Sequence, residues 1–292
     1  MTHPSAERRG FTPVIGALVL VSLMGALPAL VEAGAWVLPK GRANIQVAFL
    51  HQDTTERYFL DGERIPYFFE GHNRTSAFYI DGRYGITDRL EGVVQVPFFL
   101  LRFDDLSDNR RSNGLGDVRA GLRYNLVRAS PVATFDVRVK FPTGTFINDA
   151  EVVPVGEGQW DLDLAGELAH SFWPRPFYVN GRAGYRFRGP NDESGIDFGD
   201  EIFWLVEGGY TVSERIGLKL VARGLHGKKG TSFGIPIETL KREVVYVEPG
   251  FIFRASPSWF VEVAVPFTVS GRNWPAGPVF TLKLTKAFGA AR

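Results

Sequence analysis

The chain contains no cysteine and only two methionines among 292 residues. Without a thiol there is no disulfide framework, no thiolate zinc site, no iron–sulfur ligation and no cysteine nucleophile. Charge imbalance is missing as well. The 33 Lys+Arg and 32 Asp+Glu leave a formal net charge of +1, without the electrostatic footprint of a nucleic-acid binder. Beyond the N-terminal region, no apolar run reaches the roughly 18 residues that a membrane helix needs. What is abundant is 33 Gly and 24 Phe, with an aromatic share of 13% that a disordered chain does not carry. The length suits one large domain or two ordinary ones.

The first residues read as an export signal. Arg8 and Arg9 precede an apolar stretch from Val14 to Leu30, broken by Pro28. Val31-Glu32-Ala33 and Ala33-Gly34-Ala35 follow, both small-residue patterns that a signal peptidase accepts. The alternative is an N-terminal anchor, for which about 17 apolar residues lie at the bottom of the spanning range. Arg8-Arg9 is also compatible with a twin-arginine signal. The expected division is a signal peptide over 1–33 and a single domain over 34–292.

Along the mature chain one pattern repeats. Strict two-residue alternation belongs to a strand whose two faces meet different surroundings. Asp117, Arg119, Gly121, Arg123 and Asn125 alternate with Val118, Ala120, Leu122, Tyr124 and Leu126. Thr134, Asp136, Arg138 and Lys140 alternate with Phe135, Val137, Val139 and Phe141, and further segments follow as far as Thr281, Lys283 and Thr285. The pattern predicts about twelve strands of roughly ten residues, the length at which a tilted strand crosses a bilayer. Short connections are expected at 85–89, 126–131, 172–176, 211–215 and 254–258. Long polar loops are expected at 53–74, 102–115, 142–158, 188–200 and 226–242, with a shorter one at 271–277. Short turns at one end and long loops at the other are the asymmetry of an outer-membrane barrel. Tyr84-Gly85-Ile86-Thr87-Asp88-Arg89 recurs as Tyr210-Thr211-Val212-Ser213-Glu214-Arg215, which suggests a hairpin unit used twice.

One face of these strands is almost free of charge. The other carries Asp117, Arg119, Arg123, Asp136, Arg138, Lys140, Asp161, Asp163, Glu167, Arg182, Arg186, Glu207, Lys219 and Arg223, with Asp81, Arg83, Glu91, Glu248, Glu262 and Lys283. A soluble barrel would bury the apolar face and expose the charges. Gly and Ala on the apolar face, with Trp160, Tyr124, Tyr185 and Tyr210 near strand ends, fit the reverse arrangement: an all-β transmembrane barrel with an aromatic girdle and a charged lumen.

Several segments carry a family resemblance. Ala35-Trp36-Val37-Leu38-Pro39-Lys40-Gly41 opens the mature chain, and Asn113-Gly114-Leu115-Gly116-Asp117 leads into Gly121-Leu122-Arg123-Tyr124. Lys140-Phe141-Pro142-Thr143-Gly144 and Gly158-Gln159-Trp160-Asp161 follow. The chain resembles the outer-membrane barrel family of the meta-cleavage phenol-degradation pathway. The resemblance spans nearly the whole mature chain. It implies a barrel of about a dozen strands that passes small or hydrophobic compounds, and it carries over no catalytic residue. The chain departs from the usual pattern at its end, where Phe288 is followed by Gly-Ala-Ala-Arg in place of a terminal aromatic.

Enzymatic and metal chemistry find little support. An outer-membrane phospholipase would place a His and a Ser two apart on the lipid-facing side. Here His170 and Ser171 are adjacent and point to opposite faces, and His51, His72 and His226 have no serine at that spacing. Asp104, Asp105 and Asp108 lack the ligand spacing of a calcium loop and read as a solvated loop. No catalytic residue, cofactor or metal is expected. The expected function is passive passage of small solutes, hydrophobic or aromatic ones among them, through the charged lumen. The alternative is a barrel sealed by its own ion pairs, whose loops bind an extracellular partner or a surface lipid. The implied partners are outer-membrane lipids, the barrel-assembly machinery and a small solute.

Overall fold

The computed structural model describes residues 34–106, 109–146, 154–193 and 195–289. The expected signal over 1–33 lies outside these residues. Twelve antiparallel strands close into one barrel: β1 (Ala43–Thr54), β2 (His72–Gly85), β3 (Leu90–Asp104), β4 (Asn109–Leu115 and Val118–Val127), β5 (Val132–Phe141), β6 (Asp161–Ser171), β7 (Phe177–Arg188), β8 (Glu201–Thr211), β9 (Ile216–Gly227), β10 (Glu243–Ser256), β11 (Trp259–Ala264 and Phe267–Arg272) and β12 (Phe280–Phe288). Each strand pairs with its neighbours in sequence. The ring closes where Ala43 meets Phe288 and His51 meets Phe280. Closure leaves no unpaired sheet edge within the bilayer, which a β structure there requires.

Two strands are interrupted at prolines, which cannot donate to the ladder. In β4 the break at 116–117 lies opposite Pro97, whose carbonyl accepts from Gly116 N at 2.9 Å. In β11 it falls at Val265-Pro266. The short turns occupy one end as expected, at 86–89, 128–131, 172–176, 212–215 and 257–258.

The expected long loop at 102–115 is corrected. Phe98 pairs with Leu115 and Asp104 with Asn109, so this stretch is a β3–β4 hairpin that extends beyond the apolar belt. Above the belt both faces of the hairpin can be polar, so alternation fades while pairing continues. The remaining long connections fold over the same end. Residues 56–58, 64–66 and 274–275 form one small sheet; 190–191, 196–197, 230–232 and 235–237 form another.

The barrel is inside out relative to a soluble one. Leu122, Leu168, Val206, Leu220, Leu282 and Leu284 are exposed on its outer face, whereas Glu91, Asp136, Asp161 and Glu201 are buried within. Lipid must cover the first set.

Candidate functional site

The register brings charged residues of the alternating face together across the strands. Arg123 pairs with Asp136, Arg138 with Asp163, Lys140 with Asp161, and Arg182 with Glu167, each directly across a strand boundary. Opposite charges thus face each other in the ladder, the favourable cross-strand arrangement.

The ion pairs of the inner wall form three networks. Along β3–β8, Arg123 lies 3.0 Å from Glu91, 3.4 Å from Asp136 and 2.7 Å from Glu167. Arg138 reaches Asp136 at 2.6 Å, and Arg182 spans Asp136 and Glu167. Nearer the long loops, Arg186 holds Asp163 at 2.6 Å and Glu201 at 2.8 Å, while Arg119 holds Asp163 at 3.0 Å. Across the barrel, Lys219 and Lys283 both lie 2.8 Å from Glu262, Lys219 also approaches Glu207, and Arg223 lies 3.3 Å from Glu248.

In the first two networks four arginines stand over four carboxylates. The side chains of Asp136, Asp161, Asp163 and Glu167 keep 0–6% exposure, whereas those of Arg119, Arg138, Arg182 and Arg186 keep 17–24%. Carboxylates sit short and deep against the wall, and the longer guanidinium groups stand over them. The wall is therefore cationic at these four arginines, whereas Arg123, Lys140 and Arg188 lie as deep as the carboxylates. Aromatic rings join it. Arg182 and Arg186 lie 5.4 and 5.5 Å from the Phe203 ring, and Arg223 lies 5.0 Å from Tyr246.

Two inserted segments narrow this interior, and both escaped the sequence reading. The first is 34–40, at the short-turn end. Its backbone takes up the polar groups of the inner wall. Glu91 accepts from Leu38 N at 2.7 Å, Arg83 donates to the Trp36 carbonyl at 3.0 Å, and Asn125 donates to the Ala35 carbonyl at 3.2 Å. Arg123 also donates to the Gly34 carbonyl, and Thr134 to that of Ala35. Ala35 packs on Val132 and Ala169, and Trp36 meets Tyr178 edge to face. At Gly85 a side chain would collide with the Pro39 carbonyl, so the segment lies flush on the wall. A cavity of about 170 Å³ remains beside it, lined by Trp36, Pro39, Arg128 and Val132 among others.

The second is the described part of the β5–β6 connection, which carries Glu157 into the barrel. Here the resemblance segments converge. Asp117, at the β4 break, accepts from Gly144 N at 3.1 Å and Glu157 N at 2.9 Å. Lys140 sits among Asp117 at 3.1 Å, Asp161 at 3.1 Å and Glu157 at 2.5 Å. Gly144 and Gly156 touch backbone to backbone, where an added Cβ on Gly144 would stand 2.7 Å from the Gly156 Cα. Arg188 and Arg242 complete the cluster, 2.8 and 3.0 Å from Glu157. Burial pushes the Glu157 carboxyl upward, but Arg242, Arg188 and Lys140 together hold it well below the usual carboxylate range. Glu157 was missed because it lies in a connection without alternation; its setting, Gly156-Glu157-Gly158, is the one local signal of close packing.

The histidines find serines that sequence spacing did not reveal. His51 Nδ1 lies 2.9 Å from Ser76 Oγ on the neighbouring strand, and His170 Nδ1 lies 2.8 Å from Ser130 Oγ. Among the described residues neither histidine has a carboxylate partner to orient it, which the usual nucleophile–base arrangement supplies. Asp104 is held by Arg102 at 2.5 Å and Arg74 at 3.6 Å, while Asp108 lies outside the described residues.

A closed twelve-strand ring with an apolar exterior and a charged, narrowed interior defines a transmembrane β-barrel of the outer-membrane type. Residues 63–284 match the family described as "Putative MetA-pathway of phenol degradation", and the chain belongs to that family. It is similar in structure to an outer membrane channel from Pseudomonas putida F1, at TM-score 0.73 and 19% identity, over 88% of this chain and 100% of that one. It is also similar to the translocator domain of the autotransporter NalP from Neisseria meningitidis, at TM-score 0.50 and 10% identity, over 93% and 95%. The toluene transporter TodX of P. putida aligns at TM-score 0.47 and 12% identity, over 89% and 94%. These likenesses concern the fold. No curated protein matches the chain.

Proposed function

We propose that residues 1–33 direct export and that residues 34–292 form an outer-membrane channel for small solutes. It favours those that combine an aromatic ring with a negative charge. The observation that carries this reading is the layering of the wall, with arginine over carboxylate and rings beside the arginines. The residues we place along the passage are Asp117, Arg119, Arg123, Asp136, Arg138, Lys140, Asp161, Asp163, Glu167, Arg182, Arg186, Glu207, Lys219 and Arg223. A guanidinium group with one face on Phe203 can still donate to a passing carboxylate while the ring offers a stacking surface. The passage is non-enzymatic. Its family membership and the channel from P. putida F1 support the same direction.

A second reading is favoured by one observation: the segment 34–40 is tied across the inner wall at the short-turn end by Arg83, Glu91 and Asn125. On that reading the barrel is sealed and its loops bind a partner or surface lipid. Flux into liposomes containing the refolded protein separates the two. Benzoate should enter faster than benzylammonium of similar size. Equal exclusion of both would leave the sealed barrel in possession.

A further inference from the structure

The short-turn rim differs from the interior in one respect. Within the lumen, arginines are paired with carboxylates. On the rim, Arg89, Arg128, Arg175 and Arg215, one on each of four successive short turns, are exposed. Among the described residues none of these four guanidinium groups has a carboxylate partner. At the fifth turn Arg254 and Lys286 take the equivalent place. Lys286 lies 4.8 Å from the Trp259 ring and donates to Ser258 Oγ at 2.9 Å. Lys40 and Arg42 arrive from the N-terminal segment. Against these eight cations the rim carries, among the described residues, two carboxylates, Asp88 and Glu214. The long-loop end is built otherwise: Arg64, Arg74, Arg102, Lys228 and Lys229 pair with Glu56, Asp53, Asp104, Asp200 and Glu238.

Each free arginine also has an exposed apolar companion. Tyr84 and Ile86 accompany Arg89, Tyr124 and Leu126 accompany Arg128, Trp173 accompanies Arg175, and Tyr210 and Val212 accompany Arg215. Aromatic rings of this kind settle at headgroup depth, and a flanking cation extends from that depth toward the phosphate layer. A soluble anion would need the cations but not the apolar companions.

We propose that this rim is a collar that selects anionic phospholipid headgroups from the leaflet around the short turns. The chemistry is guanidinium to phosphodiester, repeated around the circumference, with the acyl chains lying along the apolar wall. It rests on the barrel spanning a bilayer and is independent of conduction.

The test uses the full mature chain refolded in phosphatidylcholine vesicles containing spin-labelled phosphatidylglycerol or spin-labelled phosphatidylcholine. The protein should prefer phosphatidylglycerol severalfold, since each cation near an anionic surface is worth about fivefold in local association. Replacing all four arginines (Arg89→Gln, Arg128→Gln, Arg175→Gln, Arg215→Gln) should bring the two lipids to near parity, whereas the matching lysine variant should keep most of the preference. Parity in the wild type, or a preference untouched by the glutamine variant, would overturn the collar. Displacement by inorganic phosphate at matched ionic strength would reassign the rim to a free anion and equally overturn it. If the glutamine variant fails to fold, salt decides with the wild type alone: a preference that does not shrink from low to high salt contradicts the proposal. Failure of the wild type to enter vesicles at all would instead contradict the membrane barrel.

Discussion

Replacing Glu91 by glutamine should unlatch the N-terminal segment. Glu91 is fully buried, and its carboxylate accepts from Arg83 at 2.7 and 2.9 Å, from Arg123 at 3.0 Å and from Leu38 N at 2.7 Å. Glutamine keeps one acceptor oxygen and turns an amide N–H toward cationic donors. A hydrogen bond to a charged group contributes about 1.5–3 kcal/mol, so its loss at Leu38 should raise the population of the detached segment about 10- to 100-fold. Breaking a buried ion pair costs about 3–5 kcal/mol. Here the loss in global stability should fall near the lower bound, because Arg123 retains Asp136 and Glu167. The absence of cysteine supplies a clean assay. Ala35→Cys places a single thiol at a position with 0% exposure, and its labelling by a maleimide reports detachment. Labelling should be slow in the Ala35→Cys background and 10- to 100-fold faster with Glu91→Gln added. Equal rates would refute the latch.

Three further outcomes follow from the same geometry. Leu220→Arg, halfway along β9 on the outer face, should cost about 2–4 kcal/mol of unfolding free energy in vesicles, while Leu162→Arg near the end of β6 should cost about 0–1 kcal/mol; equal costs would contradict the assigned depths. Asp117→Asn removes the charge that gathers Gly144 N, Glu157 N and Lys140, so a barrel that retains heat-modifiable migration should show larger single-channel conductance. Glu157 is depressed below its ordinary value of 4.5, so its anchoring is complete above that pH and is lost only as pH falls through the lower folded value; conductance should stay constant down to about pH 4.5 and rise below it, and a rise beginning near pH 6 would count against these ion pairs.

The barrel was legible because lipid and water impose different chemistry on alternate residues. Val137 and Val139 face outward and Asp136 and Arg138 inward, as the alternation requires. The same alternation is why the charged residues fall on one face of each strand. Legibility ended where that constraint ends. Arg102, Arg111 and Asn113 look like loop because they sit above the belt, where water wets the outer face as well, yet they pair in a regular hairpin. The segment 34–40 binds through backbone carbonyls, which any residue offers, so its sequence carries no mark of the contact. Asp117 was readable as a lumen residue, but its role as the point where Gly144, Glu157 and Lys140 meet depends on a strand break that Pro97 only suggests.

The central claim is that water and ions meet a cationic surface inside this barrel. Reversal potential across a KCl gradient in a planar bilayer tests it most directly, with the wild type compared with Arg182→Gln, whose guanidinium stands over Asp136 and Glu167. The wild type should conduct with anion preference, and the variant should shift toward cations, less so at high salt, where fixed charges are screened. A silent wild type beside a leaky, less stable Arg182→Gln would contradict the channel and show that the arginines seal the barrel.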